Sequence, residues 1–246
     1  MIDHGLPGSH EIYIGHDSTL IDDQQYGTGC LPRATVVGSV WPVWGSMDSA
    51  PLVPESEWRE QAEEAWQEQS PAVWDYNQGT DPSCCLFATA NAIQRYFLRA
   101  GLPNVELDPR KAWIECTGGR GGYAIDGALT YCRNNGFPLK VGTDRVKLVE
   151  AWDCPSGAAA VSAVMRGCIV VFGWSGLGPH AECLTRLGPN KKPRVQNSWG
   201  FAWGDHGHHD VPLASIDAGI KVFGAFALRA FQLRPADSAD LPDAKA

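Results

Sequence analysis

The 246-residue sequence lacks the long apolar run that a membrane-spanning helix requires. Its longest apolar stretches, at 168–174 and 222–228, have the length of β-strands, whereas a membrane helix needs about 20 consecutive apolar residues. The first 20 residues contain neither the basic region nor the apolar core of a signal peptide. We therefore expect no membrane span and no membrane partner.

Positive charge is also scarce in this sequence. It has 20 Lys and Arg against 28 Asp and Glu, for a formal net charge of −8. Proteins that grip phosphate backbones carry an excess of positive charge on at least one face, so we expect no nucleic-acid partner. The 44% hydrophobic content and the ten Trp residues instead indicate a packed globular chain.

The eight cysteines lack the spacing of a structural metal site. None of them forms a C-x-x-C pair, and this excludes a zinc ribbon. Because no signal peptide is evident, we interpret most of them as free thiols of a cytoplasmic protein. A disulfide framework in an oxidising compartment is the alternative.

Residues 1–70 are the least regular part of the sequence. They are rich in Gly, Pro, Ser and Asp up to residue 54, and we expect mainly loops there. Good helix formers then fill residues 55–69, with Trp58 and Trp66 on one predicted helical face. We interpret residues 1–70 as an integral extension, because almost no linker separates this helix from the rest of the chain. A pro-segment that blocks a cleft is the alternative.

From residue 83 onward, helical patterns come first and strand patterns come later. The spacing of apolar residues predicts helices at 83–100, 109–116, 125–134 and 158–166, and strands at 168–173, 180–187, 194–197 and 221–229. Helices followed by strands are typical of an α+β fold with two facing lobes. Residues 235–246 form a polar tail.

Three residues in this part of the chain suggest nucleophilic catalysis. Cys84 lies at the start of the first predicted helix, where the helix dipole and unpaired backbone N–H groups lower the pKa of a thiol. His180 opens a predicted strand after a glycine-rich stretch, and Asn197 ends another. A cysteine nucleophile needs a histidine base and a third group that orients the base. The sequence therefore offers a complete Cys-His-Asn set.

The residues around these three positions resemble those of papain-like (C1-type) cysteine peptidases. Residues 77–87, which include Gln-Gly and Ser-Cys, resemble the nucleophile segment of that family. His180 followed by Ala resembles its histidine segment, and Asn-Ser-Trp-Gly at 197–200, followed by Trp-Gly, resembles its asparagine segment. The resemblance covers about residues 72 to 231.

The resemblance implies a papain-like two-lobe fold for residues 71–234. In that fold an N-terminal helical lobe, here about 71–140, contains the central nucleophile helix. A C-terminal lobe with an antiparallel β-sheet or barrel, here about 141–234, faces it across a substrate cleft. The spacing between the nucleophile and the histidine is shorter than is typical for the family, so we expect a trimmed second lobe.

The resemblance also implies roles for individual residues. Cys84 would be the nucleophile, His180 the general base and acid, and Asn197 the group that orients the imidazole. Gln78 would donate its side-chain amide to the oxyanion. The reaction implied is hydrolysis of a peptide bond through a thioester acyl-enzyme, with no metal or other cofactor.

The same resemblance predicts substrate contacts. Trp199 would pack over the bond between Asn197 and His180. Gly121 and Gly122 would offer extended backbone to a peptide or protein substrate. A peptide-binding cleft of this kind is also the surface that residues 1–70 would cover if they were a pro-segment.

Some residues depart from the family pattern. A second cysteine, Cys85, follows Cys84, and the position at the helix start favours Cys84 as the reactive one. Both cysteines that form the family disulfide next to the nucleophile are missing here. An ion pair between Asp81 and Arg120 could replace that disulfide. A second family disulfide could be matched by Cys116 and Cys154.

Other functions are consistent with parts of the sequence. A peptidoglycan or isopeptide amidase or transferase would use the same three residues, and a catalytically silent binding protein could keep the fold without the chemistry. The His-rich stretch 206–210 contains residue types that bind metals. It lies in the Trp-Gly segment of the resemblance, where a solvated hairpin accounts for these residues without a metal ion. We therefore expect no metal site.

Overall fold

The computed structural model of the chain describes residues 26–33, 41–46, 50–61 and 74–235. Its helices are α1 (Cys84–Arg99), α2 (Pro109–Thr117), α3 (Ile125–Asn134), α4 (Gly157–Met165) and α5 (Leu213–Phe223). Its strands are β1 (Phe137–Pro138), β2 (Arg145–Asp153), β3 (Ile169–Trp174), β4 (His180–Leu187), β5 (Pro193–Gln196), β6 (His208–Asp210) and β7 (Ala225–Arg234). The predicted polar tail beyond Pro235 lies outside the described residues.

The helices begin and end where local chemistry favours it. In α2, Pro109 occupies the first turn and the Asp108 carboxylate accepts a hydrogen bond from the Lys111 N–H at 2.9 Å. The helix ends at Gly118, whose φ of +67° suits glycine. All four predicted helices between 83 and 166 are confirmed within one or two residues. No described helix is long and apolar enough to cross a membrane.

The seven strands form one antiparallel sheet in the order β1-β2-β7-β3-β4-β5-β6. The first three helices precede all seven described strands in the chain, and this confirms the predicted α+β class. Because side chains alternate across a strand, the sheet separates two hydrophobic clusters. Ile169 and Val171 of β3 face the cluster around α1, whereas Val170 and Phe172 face the cluster that includes α4 and α5.

The region predicted as a strand at 221–229 is divided between two elements. The chain is helical in α5 up to Phe223, and the strand begins after Gly224. Ile216, Ile220 and Phe223 are spaced at three and four residues and are buried on one face of α5. The strand prediction was therefore wrong at 221–223, because the apolar run continues from one element into the next.

The described part of the N-terminal extension packs into the core. Trp44 and Trp58 are buried in the cluster that includes α4 and α5, and Val43 forms a β-bridge with Asp153. The predicted helix at 55–69 is seen only as a 3-10 turn at Glu55–Glu57, because Trp58 has an extended backbone. Residues 62–73, including Trp66, lie outside the described residues.

The cysteines are free thiols in this structure. Cys116 lies on α2 near Tyr123, whereas Cys154 belongs to the other hydrophobic cluster. A disulfide between these two cysteines is therefore not formed. Asp81 pairs with Arg110 at 3.0 Å, where the sequence suggested Arg120.

Ser162 of α4 joins the extension to the helix. Its hydroxyl oxygen accepts hydrogen bonds from the Val53 N–H at 2.6 Å and from the Trp44 indole N–H at 3.3 Å. Replacing Ser162 by Ala leaves both donors without this partner, and we expect a loss of about 1–3 kcal/mol in the free energy of unfolding. Chemical denaturation measures this. The control Ser215→Ala, on a half-buried position of α5, should change stability by less than about 0.5 kcal/mol. Equal losses in the two variants would contradict the role of Ser162.

Candidate active site

Cys84 is the first residue of α1 and is completely buried. The preceding residue, Ser83, makes no side-chain cap to the helix, so the first N–H groups of α1 are not capped from that side. The positive end of the helix dipole therefore faces the thiol. This is the position that the sequence predicts for a reactive cysteine.

The two adjacent thiols have opposite electrostatic surroundings. Burial raises the pKa of Cys84, but the Cys85 thiol, the His180 ring and its charge, and the Ala181 N–H together hold that pKa well below its ordinary value. Burial and the neighbouring thiols of Cys84 and Cys30 raise the pKa of Cys85 well above its ordinary value. The Cys85 thiol donates to the Tyr123 carbonyl at 2.9 Å. Cys84 is therefore the thiol that ionises readily.

His180 begins β4 and is fully buried beside Cys84. Its Nε2 lies 2.8 Å from Asn197 Oδ1. Because that oxygen only accepts, Nε2 carries the proton. The other ring nitrogen, Nδ1, has no hydrogen-bond partner in good geometry. It is the ring atom available to Cys84.

Burial is the strongest single influence on the pKa of His180, and it lowers that pKa. The hydrogen bond and charge of Cys84, the charge of Glu182 and the bond to Asn197 together more than compensate, so the pKa of His180 lies above its ordinary value. A thiol with a lowered pKa beside an imidazole with a raised pKa favours a thiolate–imidazolium pair.

Trp199 lies over the imidazole. The centroids of the Trp199 and His180 rings are 4.6 Å apart, and Trp199 is only 6% exposed. Trp199 also stacks on Tyr26, with ring centroids 4.7 Å apart. The indole therefore covers the His180 ring, and its predicted role in shielding the bond to Asn197 stays a prediction.

Gln78 lies in the turn before α1 and is completely buried. Its Oε1 accepts a hydrogen bond from the Ser198 hydroxyl at 2.5 Å. Its Nε2 donates to the carbonyl oxygens of Gly27 at 2.9 Å and Asp81 at 2.7 Å. The side-chain amide of Gln78 is thus held in one orientation, with its nitrogen donating to two backbone carbonyls of the same chain.

Residues 26–33, which we name the groove segment, run past all of these groups. The carbonyl of Gly27 accepts from Gln78 Nε2 and, at 3.2 Å, from Trp199 Nε1. The N–H groups of Gly29 and Cys30 donate to the carbonyl of Pro179, the residue before His180. The groove segment therefore lies between the nucleophile turn and the strand that begins with His180.

On its other side the groove segment pairs with the glycine-rich loop. The Tyr123 N–H donates to Gly29 at 3.0 Å, and the Leu31 N–H donates to Tyr123 at 3.1 Å. Gly122 allows this approach, because a Cβ there would lie 1.9 Å from the Gly29 carbonyl oxygen. The Gly121 carbonyl instead accepts from the Trp113 indole at 3.1 Å. The main-chain hydrogen bonds to the groove segment are therefore made by Tyr123, one residue after Gly121 and Gly122, the predicted substrate contacts.

The histidines of the 206–210 stretch point to separate partners. His208 Nε2 lies 2.8 Å from the Arg95 guanidinium, and His209 Nε2 lies 3.0 Å from Glu182. In the part of the chain that the structure describes, no three His, Cys, Asp or Glu side chains are grouped to hold a metal ion. These histidines belong to the packing behind the site.

Two features of the site were not predicted from the sequence. The main-chain contacts of Tyr123 depend on how the loop turns after Gly122, and no residue pattern indicates that turn. Glu182 could have been found, because it lies two residues after His180 and the period of a strand places both on one face of the sheet.

This arrangement has counterparts among solved structures. No protein-family model and no curated protein sequence matches the chain. The chain is similar to xylellain, a cysteine protease from Xylella fastidiosa, with 16% identity and a TM-score of 0.64 over 84% of this chain and 97% of that one. It is similar to procathepsin B S9 from Trypanosoma congolense, with 14% identity and a TM-score of 0.59 over 82% and 85% of the chains.

A third similar structure is the proform of the ragweed cysteine protease Amb a 11, with 20% identity and a TM-score of 0.53. The match covers 65% of this chain and spans 64% of that one. All of these neighbours share one architecture. The chain has the papain-like fold. In this papain-like chain, the sheet and α1 bring Cys84, His180 and Asn197 to one place despite the low sequence identity.

The pKa shifts predict a bell-shaped pH dependence for the ion pair. The thiolate is lost as the pH falls through the lowered pKa of Cys84, and the imidazolium is lost as the pH rises through the raised pKa of His180. In an ultraviolet titration of the intact chain, we expect a thiolate absorbance step well below pH 9.0, the ordinary pKa of a thiol.

This step should disappear in Cys84→Ala and persist in the matched control Cys85→Ala. A step that survives in Cys84→Ala would assign the ionised thiol to another cysteine. A step that occurs only at or above pH 9.0 would show that Cys84 is an ordinary thiol.

Proposed function

We propose that this chain is a cysteine endopeptidase that hydrolyses peptide bonds through Cys84, His180 and Asn197. The observation that carries the proposal is the buried set formed by the Cys84 thiol at the helix start, the His180 ring and the 2.8 Å bond to Asn197. The shared fold with cysteine proteases supports it.

In the first half of the reaction, the Cys84 thiolate attacks the carbonyl carbon of the scissile bond. The electron pair of that carbonyl moves to its oxygen, and it returns as the C–N bond breaks. His180 Nδ1 gives its proton to the leaving amine nitrogen. The product of this half is a thioester on Cys84 and a free amine.

In the second half, His180 takes a proton from water while the water oxygen attacks the thioester carbon. The C–S bond then breaks, and the acid product leaves as Cys84 returns to the thiolate. Asn197 keeps the imidazole in the tautomer that serves both halves, because its Oδ1 can only accept and the ring nitrogen facing it, Nε2, must therefore carry the proton.

The oxyanion of each tetrahedral intermediate needs hydrogen-bond donors. We assign these to Gln78 Nε2 and the backbone N–H of Cys84. The bond from Ser198 fixes the orientation of the Gln78 amide, so the donor is positioned before substrate arrives. Loss of such a donor costs about 10²–10³ in rate.

The groove segment supports a second part of the proposal, that residues 26–33 block the cleft of this same chain. The carbonyl of Gly27 already occupies an N–H of the Gln78 amide. The segment also uses the main-chain groups of Tyr123 that an extended peptide would need. Two of the structural neighbours are proforms. A substrate can bind only after this segment has moved away.

The assignment of the nucleophile is tested by covalent labelling with a thiol-directed epoxide. Cys84→Ala should abolish labelling, whereas Cys85→Ala should leave most of it, because only Cys84 has a lowered pKa. Peptide mapping by mass spectrometry locates the adduct. Labelling that survives in Cys84→Ala would overturn the assignment.

The reaction type is tested on two substrates with the Gly29→Ala chain, in which a clash with Pro82 weakens docking of the groove segment, before and after epoxide labelling. A peptide library should be hydrolysed by the unlabelled chain alone. Hydrolysis of peptidoglycan without cleavage of any linear peptide would assign the chain as an amidase. No turnover of either substrate, together with an ordinary pKa for Cys84, would identify a silent binding protein.

Blocking of the cleft is tested by a substitution in the groove segment. A Cβ on Gly29 would lie 2.5 Å from Pro82 Cβ and 2.6 Å from the Pro82 carbonyl oxygen, so Gly29→Ala should weaken docking by about 1–3 kcal/mol. We expect the rate of epoxide labelling at Cys84 to rise about tenfold.

The control for this experiment is Leu31→Ala, because the Leu31 side chain is 47% exposed in the same segment. It should leave the labelling rate unchanged. A labelling rate in Gly29→Ala equal to that of the unmodified chain would contradict blocking by residues 26–33.

A further inference from the structure

A second acid–base pair, whose carboxylate is fully buried, lies next to the three proposed catalytic residues. Glu182 is on β4, two residues after His180, and is completely buried. A fully buried carboxylate is rare in proteins unless it has a partner. Its partner is His209 of β6, whose Nε2 lies 3.0 and 3.2 Å from the two carboxylate oxygens.

The pair is enclosed by aromatic rings that also enclose His180. The His209 ring lies 5.5 Å from Trp174 and 5.0 Å from Trp203, with which it packs edge to face. Trp203 packs edge to face on Trp199 at 5.3 Å, and Trp199 covers His180. His180 and Glu182 themselves are fully buried, and a charge acts more strongly through such surroundings than through solvent.

Few other charges face His180. In the described residues, Cys84 of α1 and Glu182 of β4 are the charged groups that shift the pKa of its ring. The neighbouring strand β3 carries no ionisable side chain. Arg95 of α1 instead bonds to Gln196 and His208.

Resting on the proposed function, we propose that Glu182, held in place by His209, is a positioning residue that stabilises the imidazolium form of His180. When Cys84 gives its proton to His180, the ring gains a positive charge in a site from which water is excluded. The fixed carboxylate two residues away compensates that charge. His209 supplies the hydrogen bond that keeps the carboxylate oriented toward the site.

The test measures the pKa of His180 by NMR titration of labelled histidine rings in the full-length chain. We choose the Cys84→Ala background, because it removes the contribution of the thiol and requires no activity. There, Glu182→Gln should lower the pKa of His180 by about one unit. Glu182→Asp keeps the negative charge, so the pKa of His180 should stay close to its value in Cys84→Ala alone.

The matched control is Asp210→Asn on the same strand as His209. It removes a carboxylate whose side chain is 38% exposed and pairs with Arg194, and it should leave the pKa of His180 unchanged. Should Glu182→Gln not fold, the double variant Glu182→Met/His209→Leu replaces the buried pair by apolar side chains, which proteins often tolerate. We expect the pKa of His180 to fall by the same amount in this double variant.

An unchanged pKa of His180 in the neutral variants would overturn this inference. A fall in the pKa of His180 in Glu182→Asp that equals the fall in Glu182→Gln would also overturn it, because the effect would then depend on the shape of the side chain and not on its charge. These outcomes are independent of peptide hydrolysis. A chain that cleaves no peptide overturns the proposed function, whereas a peptidase whose His180 does not respond overturns only the role of Glu182.

Discussion

The contact between the start of α1 and the start of β4 determines the chemistry of this protein. It places a thiol at the positive end of a helix dipole beside an imidazole whose far nitrogen is already bonded to Asn197. Neither group would be charged alone in such a buried position, because burial disfavours each charge separately. Together the thiolate and the imidazolium stabilise each other, and the rest of the fold holds the two side chains side by side. The hydrophobic cluster under α1 and the sheet supply that rigidity.

The N-terminal extension contributes to this arrangement in two different ways. Residues 41–46 and 50–61 are anchored to the hydrophobic core through Trp44 and Trp58, which are buried there. Residues 26–33 instead bond mainly through their backbone to the loop at Tyr123 and to Pro179. The blocking role that we propose therefore concerns residues 26–33, and the later described parts of the extension pack as integral structure.

Much of the fold could be predicted from local patterns. The helix α3 and the strand β4 have the predicted bounds, because their apolar periodicity is clear and their ends carry turn residues. The boundary between α5 and β7 was missed, since apolar residues continue through it and only Gly224 marks the change. The helix predicted over 55–69 is wrong at 58–61, because Trp58 is buried in the core in an extended conformation although the composition favours a helix. Residues 62–69 lie outside the described residues.

The candidate site was predicted residue by residue because its motifs are short and their order is specific. Long-range contacts were not predictable in the same way. The bond from Gln78 to Gly27 joins residues 51 positions apart, and the pair of Glu182 with His209 joins two strands that are separated by β5 in the sheet. Only the fold brings such groups together, and the proposed blocking by residues 26–33 and the proposed role of Glu182 depend on these long-range contacts.

The most direct test of this account is a crystal structure of the chain after reaction with a peptide-like epoxide inhibitor. The account predicts a covalent bond to the Cys84 sulfur, an intact bond between His180 and Asn197, and residues 26–33 displaced by the inhibitor. An adduct on Cys85, or an inhibitor bound to Cys84 with residues 26–33 still paired to Tyr123, would contradict it.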